Sequence, residues 1–318
     1  RSMFILGELI ALIRLLLIYY RQKPCLVHHF TVKPVLYGSI AARIGGVGAI
    51  VNSITGLGYI FLSKDCNLKL LQKLLVPVYR FAFHQNRLHL IFENPDDLEM
   101  LESKNMIRKS QSSVIQGVGV DERVFSQTPD PNNEVPTIIL PARMLYDKGV
   151  EDFVNAAKMV RLKRKAKFIL VGDVDPGNPS MIRKETLQRW VTEEAIEWWG
   201  FQGDMPNIFQ NCNIVTLPSF GEGLPTVLIE AAACGRPLVA TDVPGCRDVV
   251  MDGVNGYLVP VNDVDALAAA MIKLIDSPEK RQAMGNESRK LVLEKFTAEM
   301  VNQATFTIYK QLIEKSDC

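Results

Sequence analysis

Apolar and polar positions alternate along this 318-residue chain in two rhythms. Short apolar runs bounded by Gly, Pro, Asn or Asp predict strands, and stretches with an apolar residue at about every third or fourth position predict helices. The strands expected in the first part are Cys25–Phe30, Ala49–Ser53, Leu88–Phe92 and Val114–Gly119. Those expected in the second part are Thr137–Pro141, Lys167–Gly172, Ile196–Trp199, Ile214–Leu217 and Leu238–Ala240. Between them come a turn and helix over Thr31–Ala42, a helix capped by Asn94, helices over Val150–Leu162 and around Ile208–Gln210, and a final helix over Ala298–Glu314. Phe4–Tyr20 is strongly apolar, but Glu8 and Arg14 interrupt it. It is short for a spanning helix and lacks the small-residue cleavage site of a signal peptide, so it reads as a helix covering a sheet. Leu68–His84 is basic and apolar at helical spacing, which suits either a sheet-packed helix or one lying on an anionic membrane. Asp121–Pro136 is polar and Pro-rich and reads as a linker. Strand–helix alternation on both sides of it predicts an α/β chain of two Rossmann-like domains.

Composition adds three constraints. Apolar residues make up 47% of the chain, ample for two cores. The six Cys have no framework or CxxC spacing, which points to free thiols in a reducing compartment; no zinc spacing and no internal repeat is present. The net charge of +1 is unevenly spread. Residues 1–92 hold 11 Lys or Arg against Glu8 and Asp65, leaving the remainder at −8. A basic first third suits phosphates, nucleic acid or a membrane surface, or simply balances an acidic second part.

The candidate chemistry centres on Pro218–Gly235, PSFGEGLPTVLIEAAACG. Gly221 and Gly223 flank Glu222 on a tight turn, Pro225 stands where a helix would begin, and Gly235 would stop it. Glu230 follows eight residues after Glu222, about two helical turns away. Amides from Gly223 through Leu224 to Thr226 open that helix and favour an anion or a hydroxyl. Two Glu at this spacing also occur by chance in many helices. Arg143 and Lys148, in PARMLYDKG, follow the Thr137–Pro141 strand on a strand-to-helix loop. They can grip one diphosphate by a guanidinium fork and a point charge, or remain two solvated charges. Trp199-Gly200-Phe201 follows a strand at the same edge, where glycine allows close approach and the Trp can equally be core. Gly177-Asn178-Pro179 and the Gly-rich TGLGY turn (55–59) also follow strands, at the edge that lines ligand crevices in open α/β sheets.

The Pro218–Gly235 stretch resembles the E-x7-E motif of retaining glycosyltransferases with the GT-B fold, family 4 in particular. The likeness continues through Arg236–Pro260, which resembles that family's next strand, loop and hairpin. HHFTVKP and TGLGY resemble its bacterial polysaccharide-assembly branch, which adds sugars to polyprenyl-diphosphate-linked acceptors. The resemblance implies a GT-B fold of two Rossmann-like domains facing a cleft, the first incomplete, with about 70 residues expected before Arg1. Residues 1–125 would be the acceptor-side domain, 126–300 the nucleotide-sugar domain, and 301–318 a helix crossing back to the first. By the same resemblance Glu222 holds the donor sugar, Arg143 and Lys148 meet the diphosphate, and Glu230 holds the ribose. Gly223, Leu224, Gly200 and Phe201 would line the nucleotide. The implied donor is a UDP-sugar, a UDP-N-acetylhexosamine foremost, bound as substrate, with no cofactor and no metal. The implied partners are that donor, a polyprenyl-diphosphate-linked acceptor and an anionic membrane surface, without nucleic acid, at the cytoplasmic face of the plasma membrane. Many relatives carry a His on a first-domain loop, whose place Asn52–Gly56 takes here; His28 and His29 are candidates to enter the cleft or to be structural. Two alternatives stay open: a nucleotide-sugar-binding or scaffold protein without turnover, and a GT-B sugar-nucleotide epimerase.

Overall fold

The computed structural model describes residues 5–56 and 76–315. Residues 57–59 of the TGLGY turn, 68–75 of the basic helix, and Cys66 and Cys318 lie outside them. Contacts divide the chain into two compact units, Arg1–Gly117 with Val301–Cys318, and Val118–Met300.

Unit 1 holds a parallel sheet of β1 (Leu26–Phe30), β2 (Ala49–Ile54), β3 (Leu88–Phe92) and β4 (Ser112–Val114), paired in chain order. Strands added in one direction through right-handed crossovers place their helices on one face. Those helices are α1 (Ile5–Gln22), α2 (Val32–Gly45), α3 (76–83) and α4 (Pro95–Ser103). Asn94 caps α4 by accepting from the Asp97 amide at 2.8 Å. Because side chains alternate along a strand, Ile50, Leu88 and Leu90 face this helical layer, with Tyr19, Ala42, Phe83 and Leu101. Ala49, Val51 and Ile91 face the other way and meet Ile308 and Leu312 of the C-terminal helix.

Unit 2 holds a second parallel sheet. Its strands are β5 (Thr137–Pro141), β6 (Lys167–Val171), β7 (Glu197–Trp198), β8 (Ile214–Leu217), β9 (Leu238–Thr241) and β10 (Gly256–Val259). Their order is β10-β9-β8-β5-β6-β7. The helices are α5 (Val150–Arg161), α6 (Lys184–Thr192), α7 (Met205–Gln210), α8 (Thr226–Ala233), α9 (Cys246–Val249), α10 (Val264–Ile275) and α11 (Pro278–Lys295); α12 (Ala298–Glu314) then runs into unit 1. Two apolar layers sandwich the sheet. Ile138, Leu140, Phe168 and Leu170 pack under α5, α6 and α10. Ile139, Ile169, Val215 and Leu217 pack under α7, α8 and α11. Strands buried on both faces explain the unbroken apolar runs in the sequence.

Several expectations need correction. The Val114–Gly119 strand is only Ser112–Val114, because Gly117 and Gly119 at φ 71° and 72° turn the chain out of the sheet. The first unit therefore ends at Gly117, not 125. Val118–Phe125 belongs to unit 2, where the Val120 amide donates to Phe296 and the Ala298 amide to Val120, both at 2.9 Å. Asp121–Pro136 is irregular but pinned. The buried Arg236 guanidinium donates to carbonyls of Cys212, Cys234, Thr128 and Pro129, and Arg281 pairs with Asp130 at 2.8 Å. The expected hairpin after β9 is a turn at 252–256 leading into β10, which pairs with β9 in parallel. Pro225 is the cap rather than the first residue of α8. Cys25, Cys212, Cys234 and Cys246 form no disulfide. Among the described residues no helix is long and apolar enough to cross a membrane.

Candidate functional site

The strand order of unit 2 reverses between β5 and β8, so the chain leaves their carboxyl ends in opposite directions. A crevice at such a reversal is where open α/β sheets receive ligands. The two loops there carry most of the residues singled out from the sequence. The β5 loop contains Arg143 and Lys148, and the β8 loop contains Glu222 and leads into α8 with Glu230.

The loops are locked together through their backbones. The Phe220 amide donates to the Asp147 carbonyl at 2.9 Å, and the Ser219 hydroxyl donates to the same carbonyl at 3.1 Å. The Thr241 hydroxyl donates to the Ser219 carbonyl from the next strand. Gly149 closes the short turn 146–148 at φ 68°, and a Cβ there would collide with the Pro218 carbonyl. Glycine is therefore required twice over at that position.

Within this frame Lys148 Nζ donates to Glu222 Oε1 at 2.6 Å, with the side chains 20% and 11% exposed. This is a mostly desolvated, charge-assisted contact. An ammonium has three donors, so Lys148 can hold Glu222 and still meet a second acceptor. Arg143 goes elsewhere: its Nη1 donates to Asp175 Oδ2 at 2.7 Å on the β6 loop. The structure thus joins Lys148 with Glu222 and does not set Arg143 and Lys148 on one common partner. Asn178 also donates to Asp175, at 3.1 Å, so the Gly177-Asn178-Pro179 turn supports Arg143.

Glu230 is half-buried on α8, and burial pushes its carboxyl up to about 7. The amides that open α8 have no side-chain cap, leaving partial positive charge at the loop containing Gly223 and the buried Leu224. Cys246 lies buried behind the loop, and burial raises its thiol far above the usual range. At the β7 end, Gly200 accepts from the Gly172 amide at 2.7 Å. No atom lies within 4 Å of where a Gly200 Cβ would stand. Phe201 is exposed, Trp199 is exposed and donates to Glu197 at 3.0 Å, and Trp198 packs on the core while donating to Gly172 at 2.8 Å.

The adjacent His28 and His29 of unit 1 are engaged internally. His29 Nδ1 lies 2.7 Å from Asn52 Oδ1, and Asn52 Nδ2 donates to Ser39. The Asn52 oxygen must accept, so His29 is the Nδ1–H tautomer and its Nε2 accepts a hydrogen bond from the Tyr19 hydroxyl at 2.6 Å. His28 meets Tyr309 at 2.5 Å and Ser53 at 2.8 Å, and burial lowers its pKa to about 4. Asp175, Ser219, Thr241 and Gly149 were missed from sequence, where nothing marks their roles.

Residues 121–291 match the model of the family described as glycosyl transferases group 1. The chain belongs to that family. Residues 1–94 of this glycosyltransferase also match the glycosyl transferase 4-like model. One relative is the N,N'-diacetylbacillosaminyl-diphospho-undecaprenol alpha-1,3-N-acetylgalactosaminyltransferase of Campylobacter jejuni. It is 26% identical over 293 residues, covering 87% of this chain and 74% of the relative. Another is the UDP-Gal:alpha-D-GlcNAc-diphosphoundecaprenol alpha-1,3-galactosyltransferase of Escherichia coli, 25% identical over 289 residues, covering 87% and 73%. In fold the glycosyltransferase resembles the crystal structure of Anabaena HepE in complex with UDP. The TM-score is 0.77 at 21% identity, over 94% of this chain and 82% of that one. The fold is that of the GT-B glycosyltransferases, as the E-x7-E stretch implied.

Proposed function

We propose that this glycosyltransferase is of the retaining type and moves a sugar from a UDP-sugar to a polyprenyl-diphosphate-linked sugar. It does so at the inner membrane face in surface-polysaccharide assembly, without a divalent metal. The observation that carries the proposal is the Lys148–Glu222 pair at the β5/β8 reversal, with Glu230 two turns along α8. The relatives' names supply the substrate classes: both act on diphospho-undecaprenol-linked sugars, and one uses UDP-Gal.

In this reading the acceptor hydroxyl attacks the anomeric carbon from the face the diphosphate leaves. The bond from that carbon to the phosphate oxygen breaks, a new carbon–oxygen bond forms, and the hydroxyl proton passes to the departing phosphate. Negative charge grows on that phosphate, where Lys148 supplies a fixed counter-charge in a partly desolvated setting. Glu222 accepts from hydroxyls of the donor sugar, and Glu230 from the ribose. Arg143 supplies a second cation once a phosphate competes with Asp175.

Calorimetric titration with UDP, ADP and GDP, with and without EDTA, tests this. UDP-selective binding that EDTA leaves unchanged is expected. Lys148→Ala should weaken it about tenfold to a hundredfold, the worth of one charge-assisted hydrogen bond. Glu222→Gln should spare UDP and weaken the intact UDP-sugar; equal losses for both ligands would remove Glu222 from the sugar.

A further inference from the structure

Side chains alternate between the two faces of the unit 2 sheet. Ile169 of β6 pairs in register with Glu197 of β7, and the Trp199 amide continues the ladder by donating to the Leu170 carbonyl at 3.0 Å. Lys167, Ile169, Glu197 and Trp199 therefore stand on one face. With Glu134 and Thr137 they line a groove of about 320 Å³ whose floor is the buried Ile169. That volume is at the small end of ligand sites, the scale of one sugar residue rather than a nucleotide sugar. Every lining residue belongs to unit 2, and Arg143, Lys148, Glu222 and Glu230 are not among them.

The side chains say what the groove takes. Of the three Trp, Trp190 and Trp198 are held by the core, while Trp199 is 43% exposed. Its Nε1 donates to Glu197 Oε2 at 3.0 Å. The indole is thus held by its N–H edge, and what it offers a ligand is its face. Lys167 and the Thr137 hydroxyl have no side-chain partner among the described residues. One ammonium shares the groove with the carboxylates of Glu134 and Glu197. An ionic ligand of either sign would meet its own charge there, whereas hydroxyls use donors and acceptors alike.

We propose that this groove binds an uncharged sugar residue of a glycan chain, as a saccharide site separate from the donor site. The pyranose C–H groups lie on the electron-rich indole face of Trp199. Sugar hydroxyls accept from Lys167, donate to Glu197, and exchange a hydrogen bond with Thr137.

The test is titration of the full chain with α-1,3-galactobiose and with N,N'-diacetylchitobiose, read by tryptophan fluorescence and by calorimetry. At least one disaccharide is expected to shift the fluorescence of the half-exposed indole and to bind in the millimolar range, with saturating UDP present or absent. Trp199→Ala should weaken the calorimetric affinity about tenfold, and Trp199→Phe, which keeps an aromatic face, should retain most of it. Lys167→Ala with Glu197→Gln should weaken it to a similar degree and leave UDP affinity unchanged. Circular dichroism checks the fold of each variant. A parent chain that binds neither disaccharide overturns the proposal. So does binding that UDP displaces, which puts the sugar in the donor site, and so does binding that the folded Trp199→Ala and Lys167–Glu197 variants retain in full. Failure of UDP to bind bears on the proposed function alone, because the variants report on the groove by themselves.

Discussion

Glu230 is a candidate-site carboxylate whose chemistry its surroundings alter strongly. Its folded pKa, about 7, lies above the ordinary carboxylate value, so the folded state holds a proton that the unfolded state releases. Its stabilising contribution is full below about pH 4.5 and is lost as pH rises through about 7. Glu230→Gln should therefore stabilise the protein at pH 8 by about 1–2 kcal/mol, allowing for solvent screening, in urea unfolding. UDP affinity should rise as pH passes upward through about 7 if ribose hydroxyls need the carboxylate, and the Gln variant should flatten that profile. His28 works with the opposite sign. Its pKa is held near 4, below the unfolded value, so stability is lost as pH falls from about 6.5 toward 4. His29 and His89, also lowered by burial, add to the same trend. Melting curves over that range should be shallower for His28→Gln than for the parent chain.

Among elements, the β5 and β8 loops depend on each other more than on the helices they lead into. Gly149→Ala puts a side chain at positive φ against the Pro218 carbonyl. It should cost about 2 kcal/mol or more in denaturant unfolding and weaken UDP binding by shifting Lys148. The elements best read from sequence are those whose burial leaves a simple pattern. Ile214–Leu217 is buried at every position, and its observed bounds are those expected. Edge strand β7 has only Glu197 and Trp198, too little for alternation to mark its ends. Helix α11 went unread because its buried face includes Arg281 and Ser288, which look solvated in a sequence. In the site, Glu222 and Lys148 were legible as residues, but not their mutual contact, since 74 positions separate them. Asp175 was invisible for the same reason. Its partner Arg143 lies 32 residues away on another loop, and only the strand order brings the two together.

At the scale of the whole molecule, each unit has its own core, so a fragment of residues 118–300 should unfold cooperatively by itself. Unit 1 lacks that independence. One face of its sheet is covered by Ile308 and Leu312, and His28 is bonded to Tyr309, 281 residues later. The consequence appears during synthesis. Domains generally fold as they emerge, N-terminal first, yet here the unit that starts earlier in the chain is completed later. Ala49, Val51 and Ile91 await α12 while unit 2 is already formed. A chain ending at Met300 should keep the hydrogen-exchange protection of β5–β10 and lose that of β1–β3. In the cell, such an interrupted product would be a folded unit 2 trailing an unfinished unit 1.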